Sequence, residues 1–196
     1  FITNSLQLYY KLSILSRLLI EFFYFLYYNI NSFLDLRKDF LFMNDFQFIS
    51  NSEADTMNFA KQIAAKLKRG DIVVLTGELG SGKTKFVEGF LSFFGLENEI
   101  SSPTFTIVNE YDTNDFPIYH FDVYRLEDSS EFYEIGGEEY FENGLCLIEW
   151  GEIIKDAFPN KYIHITFRKD NKNENVRILT ISLVGNFSNK ILGGLF

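Results

Sequence analysis

Residues 71–84 read Asp-Ile-Val-Val-Leu-Thr-Gly-Glu-Leu-Gly-Ser-Gly-Lys-Thr, and no other stretch of the chain narrows the possible folds so far. Ile72–Leu75 is an apolar, mostly β-branched run of strand length. Gly77, Gly80 and Gly82 then let the backbone curl into a concave loop where side chains would clash. The spacing Gly77-x4-Gly82-Lys83-Thr84 is a phosphate-binding loop pattern, set between a strand and a helix as the pattern requires. In such a loop the backbone N–H groups, with the positive end of the following helix, point at phosphate oxygens. Lys83 reaches the outer phosphates, and the Thr84 hydroxyl is placed to ligate magnesium. The competing reading is an ordinary strand-to-helix turn, which does not require a Gly-Lys-Thr end.

A chain of 196 residues suits one domain with an appendage and is long enough for a sizeable core. Its single cysteine excludes an intramolecular disulfide framework and a cysteine-rich metal site, and suits a reducing cytoplasm. The net charge of −9 argues against direct grip on nucleic acid, which needs clustered Lys and Arg. Any role in nucleic-acid metabolism is therefore expected to pass through a protein partner.

Residues 1–42 differ in kind from the rest. They contain no Ala, Gly, Pro or Met, and the first Met is Met43. The expectation is that this stretch is AT-rich DNA upstream of the true start, translated in frame. A hydrophobic N-terminal helix, as a membrane anchor or an interaction helix, is the competitor. Leu12–Leu34 has spanning length, but Glu21 near its middle costs roughly 2.5–3.5 kcal/mol on insertion. The charge-free run Phe22–Leu34 is 13 residues, against about 20 needed to span. Residues 43–196 carry 14 basic and 24 acidic groups, so the acidity lies in this part. No membrane role is expected of it.

From Met43 onward the chain reads as alternating strands and helices. Phe46–Ile49 is an edge strand. Ser50 and Glu53 fit a capping box that opens a helix presenting Ala54, Met57, Ala60, Ile63, Ala64 and Leu67 to a sheet. Lys68-Arg69-Gly70 ends it. After the glycine loop, helix 83–94 faces inward with Phe86, Val87, Phe90, Leu91 and Phe94. Ser101–Thr106 is a polar turn with a rigid Pro103 corner. It is read either as a plain loop or as a switch-like loop whose Thr104 faces the outer phosphate or its metal. Ile107–Tyr111 and Pro117–Val123 form a hairpin. Alternation puts His120 and Asp122 on one face of the second strand, with Phe121 and Val123 on the other. Asp122 is a candidate acid for metal or water. His120 reads as structural, since no second His or ligand set accompanies it.

Glu127–Phe141 suggests a pair of short surface helices broken at Gly136-Gly137. Leu145–Ile148 is a buried strand ending at Glu149-Trp150, and a carboxylate at such a strand end beside a phosphate loop is where metal or attacking water is held. Cys146 is a buried small hydrophobe. Glu152–Phe158 is a short helix, Tyr162–Phe167 and Val176–Leu183 make a C-terminal β-hairpin, and residues 185–196 are a tail. The alternation of strands and helices around the phosphate loop gives the fold class α/β over residues 43–184.

Four blocks in one order carry a resemblance: Gly-Glu-Leu-Gly-Ser-Gly-Lys-Thr at 77–84, Ser-Pro-Thr-Phe-Thr at 102–106, His-Phe-Asp-Val-Tyr-Arg-Leu at 120–126 and Leu-Ile-Glu-Trp at 147–150. Together they resemble the TsaE (YjeE) family, small bacterial ATPases required for tRNA threonylcarbamoyladenosine (t6A) synthesis. The resemblance covers about residues 44–184. It implies a P-loop NTPase fold, three-layered around a mixed central sheet, and an ATP-binding, magnesium-dependent, slow ATPase associated with a TsaD–TsaB pair that transfers threonylcarbamoyl to adenosine 37 of tRNA. ATP hydrolysis then drives turnover of that complex, and tRNA is met only indirectly. By motif, Gly77, Glu78, Leu79, Gly80, Ser81, Gly82, Lys83 and Thr84 bind the nucleotide, with Thr104 in the switch-like loop and Trp150 beside it. Lys83, Asp122 and Glu149 are the catalytic set, and Thr84, Asp122 and Glu149 the magnesium set. Arg177 occupies a late-strand basic position common in the family.

Two other functions compete. A small-molecule P-loop kinase would want an Arg-rich lid, and only Arg125, Arg168 and Arg177 follow the loop, well apart. A nucleotide-gated binding module would not need the full set of Thr84, Asp122 and Glu149. No Asn-Lys-x-Asp for reading guanine is present, which favours ATP.

Overall fold

The computed structural model describes residues 45–187, so the expectations for residues 1–42 and for the last nine residues lie outside the described part. The apolar run after Asp71 forms β2 (Ile72–Gly77), whose first five residues are all buried. Such a strand must have neighbours on both edges and cover on both faces. β5 (Leu145–Glu149) runs parallel along one edge, and β6 (Tyr162–Lys169) runs parallel along the other. β4 (Ile118–Asp122) lies parallel beyond β5, and β3 (Val108–Tyr111) closes that side antiparallel. On the other side β7 (Arg177–Val184) and then β1 (Phe46–Ser50) add antiparallel strands, giving the order β1-β7-β6-β2-β5-β4-β3. The central sheet is therefore mixed, and β6–β7 is the expected C-terminal hairpin.

Helices cover both faces. α1 (Glu53–Ala64) and α2 (Lys83–Phe93) pack on one, around Phe59, Phe86, Phe90, Leu75, Leu147 and Phe167. The short helices α3 (Ser129–Glu134) and α4 (Tyr140–Asn143), with the 3-10 segment Gly151–Ala157, cover Phe121, Ile148 and Val74 on the other. Successive β2 residues feed the two cores alternately, as the period of a strand dictates. Cys146 is fully buried there, and burial pushes its thiol up to about 12. Among the described residues no helix is long and apolar enough to cross a membrane.

Two local expectations need correction. The N-cap of α1 is Ser52, whose hydroxyl accepts from Asp55 N at 3.1 Å, while Asn51 N donates to Asp55 Oδ2 at 2.9 Å. Ser50 cannot cap because it is the last residue of β1, paired opposite Arg177, with its buried hydroxyl 2.7 Å from that of Thr56. The inward face of α1 is also rotated. Thr56 and Phe59 are buried, Met57 is half-buried and Ala54 is exposed. Phe59 sets that rotation by stacking on Phe48 at 4.1 Å, a larger apolar contact than Ala54 offers.

α1 and α2 approach backbone to backbone at Gly89, where an added Cβ would overlap the Cα and carbonyl oxygen of Met57. In an isolated helix Gly→Ala gains about 1 kcal/mol. Here the neighbour is backbone and cannot swing away, so Gly89→Ala is expected to lower stability by about 1–3 kcal/mol. Urea unfolding with an unchanged slope measures it. A variant stabilised by about 1 kcal/mol would show that the helices separate freely.

Candidate active site

The glycine loop leaves β2 at its C-terminal end and turns directly into α2. Gly77, Gly80 and Gly82 have φ of 136°, 70° and 108°, a region costly for residues with a Cβ. At Gly77 space is a second constraint, because a side chain would strike the Phe167 carbonyl on β6. Lys83, the first residue of α2, folds back across the loop. Its ammonium donates to Gly77 O at 2.7 Å and Glu78 O at 3.2 Å, and lies 3.6 Å from the centre of the Trp150 ring. Only 4% of it is exposed. Burial pushes its pKa down, and the Glu149, Glu152 and Asp122 carboxylates oppose that shift. The Ser81 hydroxyl is buried without a protein partner among the described residues. The loop tip is braced from β6 and β7: Lys169 Nζ donates to Leu79 O at 3.2 Å and Arg177 Nη2 to Gly80 O at 3.5 Å.

The two strand-end acids stand opposite each other, because β4 and β5 pair in the register Asp122↔Glu149. Both are buried, at 6% and 3% exposure. Glu149 Oε2 accepts from the Thr84 hydroxyl at 3.1 Å, and Oε1 is 3.0 Å from His120 Nε2. Asp122 Oδ2 accepts from the Thr104 hydroxyl at 2.6 Å, and Oδ1 from Tyr124 N at 3.1 Å. Thus the polar turn 101–106 is tied to one acid and the glycine loop to the other. Among the described residues the non-glycine positions with positive φ are Ile107 (68°) and Trp150 (64°). The Ile107 carbonyl accepts from Asp122 N at 2.9 Å, and Trp150 directly follows Glu149. Strained backbone therefore adjoins both acids, as it does at sites where geometry is over-determined.

These groups surround a cavity of about 710 Å³. That is ample for a nucleotide-sized ligand. Of the residues singled out from sequence, Leu79, Gly80, Ser81, Gly82, Lys83, Thr84, Thr104, Asp122, Glu149, Trp150 and Arg177 line it. Gly77 and Glu78 do not. They form the base of the loop and hold Lys83 through their carbonyls. Asn51, Ser52 and Thr56 from the start of α1, and Asn175 from the β6–β7 turn, also line the cavity and carried no sequence signal. Lys169 was missed too, although its register with Arg177 follows from the hairpin once that hairpin is extended by two residues.

The donor set is made of hard oxygens: one hydroxyl and two carboxylates. Among the described residues no group of three His, Cys, Asp or Glu could hold a metal by protein atoms alone. Hard oxygen donors are the kind magnesium takes, one or two carboxylates alongside waters and phosphate oxygens.

Comparison with known proteins agrees with the geometry. The family model described as "Threonylcarbamoyl adenosine biosynthesis protein TsaE" matches residues 50–178. The tRNA threonylcarbamoyladenosine biosynthesis protein TsaE of Bacillus subtilis (strain 168) is 42% identical over 133 residues, covering 67% of this chain and 82% of that protein. The protein of the same name from Rickettsia bellii (strain RML369-C) is 48% identical over 123 residues, covering 62% and 85%. The crystal structure of Bacillus subtilis YdiB superposes with a TM-score of 0.64 at 33% identity, covering 78% of this chain and 94% of YdiB. On the family match, the identity to these relatives and the structural likeness together, this chain is a member of the TsaE family and has its P-loop NTPase fold.

Proposed function

We propose that this protein is a slow ATPase that acts in tRNA threonylcarbamoyladenosine biosynthesis, binding ATP with magnesium and coupling its hydrolysis to turnover of a TsaD–TsaB-type complex. The observation that carries the reading is the convergence of the Thr84 hydroxyl, at the start of α2, on the Glu149 carboxylate, at the end of β5. A phosphate loop needs such an acid beside it only where a metal and a reacting phosphate are to be managed.

In this reading the loop Gly77–Gly82 cradles the phosphates with its N–H groups. Lys83 leaves the Gly77 and Glu78 carbonyls for phosphate oxygens, and Trp150, freed of the ammonium, packs beside the nucleotide. Thr84, Glu149 and Asp122 would hold magnesium, which when bound neutralises phosphate charge. Thr104 carries the turn 101–106 against the outer phosphate, and Asp122, to which it is bonded, orients the attacking water. Arg177 and Lys169 keep the loop tip in place. Hydrolysis by such a site is mostly positioning and charge stabilisation, which suits a slow intrinsic rate set by partners. The acidic surface leaves contact with tRNA to the partner proteins. A cytoplasmic location follows from that role.

Lys83→Ala removes the charge that meets the phosphates and is expected to bring ATP hydrolysis to background, measured as ADP release. Hydrolysis at the wild-type rate would overturn the assignment of the loop. Residues 43–196 are expected to co-purify with a TsaD–TsaB-type pair, with the amount retained changing when ATP is added. Failure to associate both with and without ATP would contradict the role in that complex.

A further inference from the structure

His120 stands two residues before Asp122 on β4 and is completely buried. The register sets it opposite Leu147, which makes Glu149 its diagonal neighbour on the same face. Below it on β4 and β5 that face is apolar, with Ile118, Leu145 and Leu147 all fully buried, while Asp122 and the β3 residue Asn109, which pairs opposite His120, are the polar positions beside it. A space-filling role here would be met by Leu or Ile, as it is at those three positions. An imidazole brings two ring nitrogens that need partners in a place that supplies few. Nδ1 has no protein partner among the described residues. The side-chain bond that His120 does make runs from Nε2 to Glu149 Oε1, at 3.0 Å. A carboxylate oxygen can only accept, so the ring nitrogen facing it carries the proton.

Glu149 is thereby held at both oxygens, by His120 at Oε1 and by the Thr84 hydroxyl at Oε2. A charge-assisted bond to a ring that is itself fixed in the core prevents the carboxylate from rotating about its last torsion. We propose that His120 is a positioning residue: through Nε2 it fixes the Glu149 carboxylate so that Oε2 is presented at Thr84, where the cation of the bound nucleotide would sit. The proposal rests on reading Glu149 as a cation ligand. Partners of this outer kind are worth 10- to 100-fold in metal affinity or activity at known sites. Acting through Glu149, His120 touches neither nucleotide nor water.

Full-length wild type, His120→Leu and His120→Gln test it by ADP affinity in EDTA and by the magnesium concentration that half-saturates the gain in affinity. His120→Leu is expected to keep its EDTA affinity within about twofold and to need at least about tenfold more magnesium. His120→Gln, whose amide can donate from nearly the same place, is expected to recover most of the loss. An unchanged magnesium requirement, equal impairment of both variants, or loss of affinity already in EDTA would overturn the proposal, the last by making His120 a core residue only. A second measurement does not depend on the nucleotide reading. In nucleotide-free protein labelled with 15N-histidine, Glu149→Gln should shift the His120 Nε2–H resonance, and an unmoved resonance would overturn the contact itself. A wild type that binds ADP without any response to magnesium, with the His120 resonance still coupled to Glu149, would instead sink the reading of Glu149 as a cation ligand.

Discussion

The pairing of β4 and β5 in the register that sets Asp122 beside Glu149 is the constraint on which the site depends. A slip of one residue by either strand would send its carboxylate to the opposite face, toward Phe132 and Ile154, and part the two acids. That register is fixed from below by apolar alternation along both strands. Leu145 and Leu147 supply one core, and Cys146 and Ile148 the other. Since β2 runs parallel to β5 in the same sheet, its C-terminal end and loop emerge beside the same acids. Ligand sites of open α/β sheets lie outside the carboxyl ends of the strands for this reason.

The contacts of Lys83 across the loop are ones that a phosphate would replace. Lys83 is a nearly buried cation whose charge is met by two carbonyl oxygens and an aromatic face, with no direct carboxylate partner among the described residues. Burial disfavours its charged form, so an incoming phosphate has more to offer Lys83 than the loop does. Strain at Ile107 and Trp150, and three glycines in the left-handed region, are similarly features that favour a particular geometry over stability. The buried apolar packing lies elsewhere, in the α1–α2 layer and the five buried residues of β2.

How much of this was legible in the sequence depended on the range of the interaction concerned. The glycine loop, the flanking strand and helix, both acid-bearing strands and the C-terminal hairpin each announce themselves within ten or fifteen residues, and each is found where expected. What the sequence did not reveal depends on contacts across the sheet. Ser50 matches a cap pattern as well as Ser52 does, and only its pairing with Arg177 in the β1–β7 ladder disqualifies it. Phe59 was passed over because its partner, Phe48, lies on another element. His120 looked like a plain core histidine because the carboxylate it meets is 29 positions away. Alternation sets His120 on the face of Asp122, but its meeting with Glu149 depends on the β4–β5 register. Asn51, Thr56 and Asn175 gave no signal at all, because they reach the cavity only through the way α1 and the β6–β7 turn pack around the loop.

The Glu149 carboxylate is the point at which the loop, the strand register and His120 meet, and the most direct test is to remove its charge alone. Single-turnover ATP hydrolysis by wild type and Glu149→Gln, each saturated with ATP and magnesium in the presence of the partner complex, separates binding from chemistry. If Glu149 acts as described, the variant still binds ATP but converts it at least about a hundredfold more slowly. Equal single-turnover rates would contradict the proposed site.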